Sequence, residues 1–277
     1  MHGTEDTGCY PSPPVPQPFD QLPASVLSLA RTVRLAGGTV PALVVHPHLD
    51  RDLGRAARPA PLLVGMHGRT VSKDLDPGRY LRLARAGIAS CALDLPGHGE
   101  RLDPALQEPA RTLVVVERMA SEIDGVVAEL EASGEFAPGA MAIGGMSAGG
   151  MATLVRLCAP HRFRAAVVEC TTGSWRWQRS RAMFDPVRVA AMDPIEHLAG
   201  WRDIPLLALH NTLDEWVPVD GQREFVAALR ARSPRPADVE LHEYGPTGAP
   251  AEHAGFGRFA SDAKDRATAF LARHLGE

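Results

Sequence analysis

Apolar and polar positions change their period along this chain, and the changes mark out its elements. Short, almost uninterrupted apolar runs read "PLLVGMH" at 61–67, "GIASCALDL" at 87–95, "AMAIGGM" at 140–146, "FRAAVVEC" at 163–170 and "IPLLALHN" at 204–211. With "DVELHEYG" at 238–245 they predict six strands. Several are apolar at both alternating positions, as strands covered on both faces should be. Between them the period lengthens to that of a helix, predicting helices near 77–86, 112–132, 148–158, 219–232 and 257–275. Ahead of the set, "SLARTVRLAGGTVPALVVHP" places two β-prone runs around Gly37-Gly38, which predicts a hairpin. Such alternation implies an α/β fold, a mostly parallel central sheet with helices on both faces.

Two stretches break the rhythm. Residues 1–23 contain Pro11, Pro13, Pro14, Pro16, Pro18 and Pro23, and read as an extended N-terminal arm ahead of one domain at 24–277. The second is the connection after the strand at 163–170, the sixth when the hairpin is counted, about residues 171–201, which holds Trp175, Trp177, Met183, Phe184, Met192 and Trp201. A connection this long and aromatic predicts either a lid-like pocket wall or a crossover with an apolar underside. Trp175, Trp177, Met183 and Phe184 are its candidate pocket residues.

Composition narrows the partners. A net charge of −4 gives no basic field for nucleic acid or an anionic membrane, and no apolar run approaches a membrane span. No basic region followed by an apolar segment opens the chain, so a cytoplasmic protein acting on a small molecule is expected. The four cysteines lack metal-ligand spacing, and neither a metal nor an organic cofactor is required. A homo-oligomer is open, with the arm as one means of contact.

The candidate chemistry begins at "AIGGMSAGGM", residues 142–151. A strand precedes Ser147, a helix follows it, and Gly145 and Gly149 flank it where side chains would collide with a tight strand-to-helix turn. A serine held there still needs a base. Among 11 histidines, His253 lies in a Gly- and Pro-rich loop after the last strand, whereas His242 falls in a strand pattern and His274 in a helix. Asp214, just past the strand ending at 211, suits the acid that orients the imidazole, with Glu169 as its rival. The amide of Ala148 and that of Arg69, after "VGMHG", are the candidate oxyanion hole. His67 is expected to support that loop, and Asp94 to hold turns together. Arg69 and the arginines at 176, 179, 181 and 188 could alternatively meet an anionic substrate group.

Together, "HGR" at 67–69, "DLPGHGER" at 94–101, "GGMSAGG" at 144–150, "NTLDEWVP" at 211–218 and "EHAGF" at 252–256 resemble the α/β-hydrolase superfamily. More closely they resemble its bacterial esterase, dienelactone hydrolase and prolyl-oligopeptidase-like branch. The resemblance covers about residues 30–275 and implies Ser147 as nucleophile, Asp214 as acid, His253 as base, and an oxyanion hole at Arg69 and Ala148. It departs at His210-Asn211, where family members often carry glycine, and in the proline-rich arm. The expected activity is cleavage of a carboxylic ester or thioester through an acyl-enzyme. The alternatives are a peptidase, a carbon–carbon bond hydrolase, an acyltransferase or a non-catalytic binding protein.

Overall fold

The computed structural model describes residues 21–276, so the arm lies outside the described residues apart from its last three positions. Leu22 and Val26 there are buried with Tyr80 and Ala84, and the chain enters the domain through a short helix α1, Ala24–Leu27.

The hairpin forms as expected from β1, Ala30–Leu35, and β2, Val40–Val45, in antiparallel register. The six strands that follow are β3 (Ala60–Met66), β4 (Ala89–Leu93), β5 (Phe136–Met146), β6 (Ala165–Glu169), β7 (Leu206–Asn211) and β8 (Val239–Tyr244). With the two hairpin strands they make one eight-stranded sheet in the order β1-β2-β4-β3-β5-β6-β7-β8. Only the β1–β2 and β2–β4 pairings are antiparallel; the remaining five are parallel. Burial follows position. The edge strands β1 and β8 are polar and partly exposed along their middles, whereas β4, β6 and β7 are buried at every residue.

The helices α2 (Pro77–Arg85), α3 (Thr112–Ala132), α4 (Ala148–Leu157), α6 (Val219–Arg232) and α7 (Ala260–Leu275) match the predicted set, with α5 (Pro186–Met192) added. The last begins three residues late because Gly257–Phe259 forms a tighter turn first. Helices α3, α4 and α6 close one face over a core that includes Met119, Ile143, Met151 and Phe225. Helices α2 and α7 close the other over Leu63, Leu83, Val167, Phe270 and Leu271. Asp76 caps α2 by accepting the Arg79 amide at 3.1 Å, with Pro77 in the first turn.

The connection after β6 is packed down onto this framework. Trp175 is fully buried, its amide held by the Asp193 carboxylate at 3.0 Å and its indole N–H by the Thr172 carbonyl at 3.2 Å. Burial outweighs the two amide bonds to Asp193 and lifts that carboxyl to about 6. Ile195, Leu198 and Trp201 also pack against the core, so the segment has the apolar underside of a crossover.

Candidate active site

The serine turn is fixed by close approach of backbone. Between β5 and α4, Ser147 adopts φ 51°, ψ −118°, a conformation that strains any residue with a side chain. A Cβ at Gly145 would stand 2.5 Å from Gly149, and a Cβ at Gly149 would stand 2.5 Å from the carbonyl oxygens of Met66 and His67. Only glycine fits either place. The turn is also tied to β6: the Ser147 amide donates to Glu169 O at 2.9 Å, and the Thr171 hydroxyl donates to Ser147 O at 2.8 Å. The half-buried Ser147 side chain is left facing the C-terminal edge of the sheet.

There it meets the other two predicted residues. His253 Nε2 lies 2.9 Å from Ser147 Oγ, and His253 Nδ1 lies 2.7 Å from Asp214 Oδ2. Asp214 Oδ1 accepts the amides of Trp216 at 2.9 Å and Val217 at 2.7 Å. A carboxylate so engaged is an acceptor, so Nδ1 carries the proton and Nε2 keeps a lone pair for the serine hydroxyl. His210 also approaches Asp214, its Nε2 3.6 Å from Oδ2 and donating to Val217 O at 2.8 Å. Burial lowers the pKa of His210, which favours the neutral ring beside the carboxylate. Glu169, the rival acid, is engaged elsewhere: its carboxylate pairs with the Arg79 guanidinium at 2.8 and 2.9 Å.

The loop after β3 lies against the serine, with the position of a Gly68 Cβ only 3.4 Å from Ser147 Cβ. His67 supports this loop rather than offering a base. Its Nδ1 donates to Gly68 O at 2.6 Å, and its Nε2 accepts the Leu95 amide at 3.1 Å. The Arg69 side chain turns away to the Gln107 carbonyl. Ala148 opens α4, in the first turn whose amides lack intrahelical acceptors. Asp94 ties the neighbouring turns, accepting the amides of Lys73 at 2.9 Å and Glu100 at 3.0 Å and the Lys73 ammonium at 3.0 Å.

The expected pocket residues divide. Trp175 packs the core and has no open surface, because its ring fills the space under the crossover. Trp177 is 41% exposed with its indole N–H on Glu224, Met183 is buried and Phe184 half-buried. Arg176, Arg181 and Arg188 are engaged by Glu224, the Glu215 carbonyl, and Glu117 with Asp185. Sequence reasoning missed Trp216, whose ring lies 4.9 Å from that of His253. It also missed Asn211, whose amide reaches the histidine loop. The thiols offer no rival nucleophile among the described residues, since burial pushes those of Cys91 and Cys158 up to about 12 and that of Cys170 well upward.

Residues 83–277 match the model of the prolyl oligopeptidase family, which is well over half of the chain. The chain belongs to the prolyl oligopeptidase family. Its coarse class is therefore that of a serine hydrolase. The fold is shared with TT1662 from Thermus thermophilus, 24% identical with a TM-score of 0.68 over 90% of this chain and 99% of that one. It is shared also with a puromycin-hydrolysing peptidase of Mycobacterium tuberculosis, 23% identical with a TM-score of 0.67 over 92% of this chain. An acylaminoacyl peptidase of Pyrococcus horikoshii is 18% identical, with a TM-score of 0.66 over 89% of this chain. The chain spans only 41% and 42% of the lengths of these two peptidases. A comparison with curated protein sequences finds no match. Among the described residues, no helix is long and apolar enough to cross a membrane.

Proposed function

We propose that this serine hydrolase cleaves an acyl bond of a small substrate through an acyl-enzyme on Ser147. The observation that carries the reading is the unbroken Asp214–His253–Ser147 relay, at 2.7 and 2.9 Å, ending on a serine in a strained turn. As Ser147 Oγ attacks the carbonyl carbon, its proton passes to His253 Nε2, and Asp214 stabilises the imidazolium through Nδ1–H. The oxyanion is met by the amides of Ala148 and Arg69. His253 then returns the proton to the departing oxygen, sulfur or nitrogen, and the leaving group separates. Water repeats the sequence on the acyl-enzyme, giving the carboxylic acid and restoring Ser147.

The bond is read first as a carboxylic ester or thioester. A second reading, the amide bond of a short peptide, has equal support from membership of the prolyl oligopeptidase family and from neighbours whose names are those of peptidases. In either case Trp216, half-buried with its ring 4.9 Å from that of His253, supplies an apolar wall beside the site. No metal or cofactor enters this scheme.

The test is turnover of p-nitrophenyl acetate, p-nitrophenyl butyrate and aminoacyl naphthylamides by the wild type and by Ser147→Ala and His253→Ala. Each variant is expected to lose at least about 10⁴-fold in kcat. The ratio of ester to amide turnover decides between the two bonds. A Ser147→Ala variant with wild-type turnover contradicts the proposal.

A further inference from the structure

We propose that Asn211 is a positioning residue, a two-point clamp that holds the His253 loop in register with both Ser147 and Asp214. The inference rests on the serine hydrolase reading for its meaning, but its geometry stands on its own. Asn211 is the last residue of β7 and fully buried. Strand alternation puts its side chain on the face of Leu207 and Leu209, which packs against α7. The His253 loop feeds α7, so the Asn211 amide points into it. Its Nδ2 donates to Glu252 O at 2.6 Å and to Gly255 O at 2.9 Å. These carbonyls bracket His253 in the chain.

The orientation of the amide follows from those two acceptors. A flipped amide would set its oxygen against two carbonyl oxygens, so the nitrogen must face the loop. Among the described residues Asn211 is the side chain that donates to both carbonyls, and both would lose a bond together without it. The loop needs such a restraint because Ala251 and Glu252 hold φ 52° and 47°, conformations that residues with side chains leave readily. The Glu215 amide adds one bond to Ala251 O at 3.1 Å, linking the loop to the segment that carries Asp214. Asn211 therefore joins the end of β7, three residues before Asp214, to the loop that bears His253.

The test uses Asn211→Ser, with one donor in place of two, and Asn211→Gly, with none. Each is assayed with p-nitrophenyl acetate, with kcat scored per active site titrated by a fluorophosphonate, so that any unfolded fraction drops out. The expected result is a kcat lowered about tenfold to a hundredfold in Asn211→Gly, less in Asn211→Ser, with KM changed less than about threefold. The low-field proton resonance of His253 Nδ1–H should broaden or vanish in the same order. A merely structural role would lower the number of titrated sites and leave kcat per site and that resonance unchanged. Wild-type kcat per site and an intact resonance in a folded variant would overturn the proposal. If Asn211→Gly does not fold, Asn211→Ser decides alone on the same two readouts. A wild type that neither reacts nor turns over would sink the hydrolase reading instead, and the resonance would still report on the clamp.

Discussion

The serine turn and the histidine loop carry similar backbone strain and are restrained in opposite ways. Ser147 at φ 51° is matched by Ala251 at 52° and Glu252 at 47°. Around Ser147 the restraint is steric. Gly145 and Gly149 let β3, β5 and the start of α4 approach so closely that the backbone has nowhere else to go. Around His253 the restraint is polar and comes from side chains. Asn211 holds two carbonyls, while the Glu252 carboxylate accepts the Thr247 amide at 2.7 Å, its hydroxyl at 2.6 Å and the Gly248 amide at 2.8 Å. A strained serine can thus be locked by packing, whereas the histidine that meets it is tethered by bonds that can be removed one at a time.

Breaking the steric side should have the largest effect. Gly149→Val puts a side chain against the Met66 and His67 carbonyls, and a loss of about 3 kcal/mol or more of stability is expected in urea unfolding. A variant within 1 kcal/mol of wild type, on the order of ordinary surface changes, would mean the turn is not packed as tightly as described.

A third kind of restraint, ionic, lies at Asp94, next to the His67 loop. Burial pushes the Asp94 carboxyl up, and the amides of Lys73 and Glu100 with the Lys73 ammonium oppose it, the pKa falling from 3.8 to about 2. Because the folded value lies below the unfolded one, the stability is present above pH 4 and lost as pH falls through about 2. Asp94→Asn should therefore lose about 2 kcal/mol at neutral pH and flatten the acid limb of the stability curve. An unchanged acid limb in that variant would remove Asp94 from the account.

On the polar side, Glu252→Gln weakens the three bonds that fold the histidine loop back on itself. A kcat decrease of about tenfold or less is expected, with little change in the unfolding midpoint, because the loop is loosened and the core is not. The reverse pattern, stability lost and kcat per site kept, would make this restraint structural like the glycine one. The smallest effect should come from Gly65→Ala. A Cβ there meets nothing within 4 Å and points into a cavity of about 100 Å³ between α2 and the sheet. Stability and kcat should stay within about 0.5 kcal/mol of wild type, and a larger loss would show that this glycine too is packed.

The same contrast explains what could be read from the chain before its structure. The strands, the helices and the serine turn follow from hydrophobic period and from glycines at fixed spacing, which are local signals. His253 and Asp214 were reachable because loop position and chain order leave few choices. Asn211 was visible only as a departure from the glycine common among related sequences. Its partners lie 41 and 44 residues away, and no local pattern announces such a bond. Trp216 failed for the same reason, since its contact with His253 depends on where two loops meet. Trp175 looked like a pocket residue because an aromatic in a long connection has no period to show which side it faces. The structure turns it into the core.

The central claim is that Ser147 is the nucleophile. Its most direct test is peptide mapping by mass spectrometry after reaction of the folded protein with a fluorophosphonate. A single adduct on Ser147, formed at neutral pH and strongly slowed in His253→Ala, is the predicted result. An adduct on another residue, or one that persists unchanged in Ser147→Ala, would contradict it.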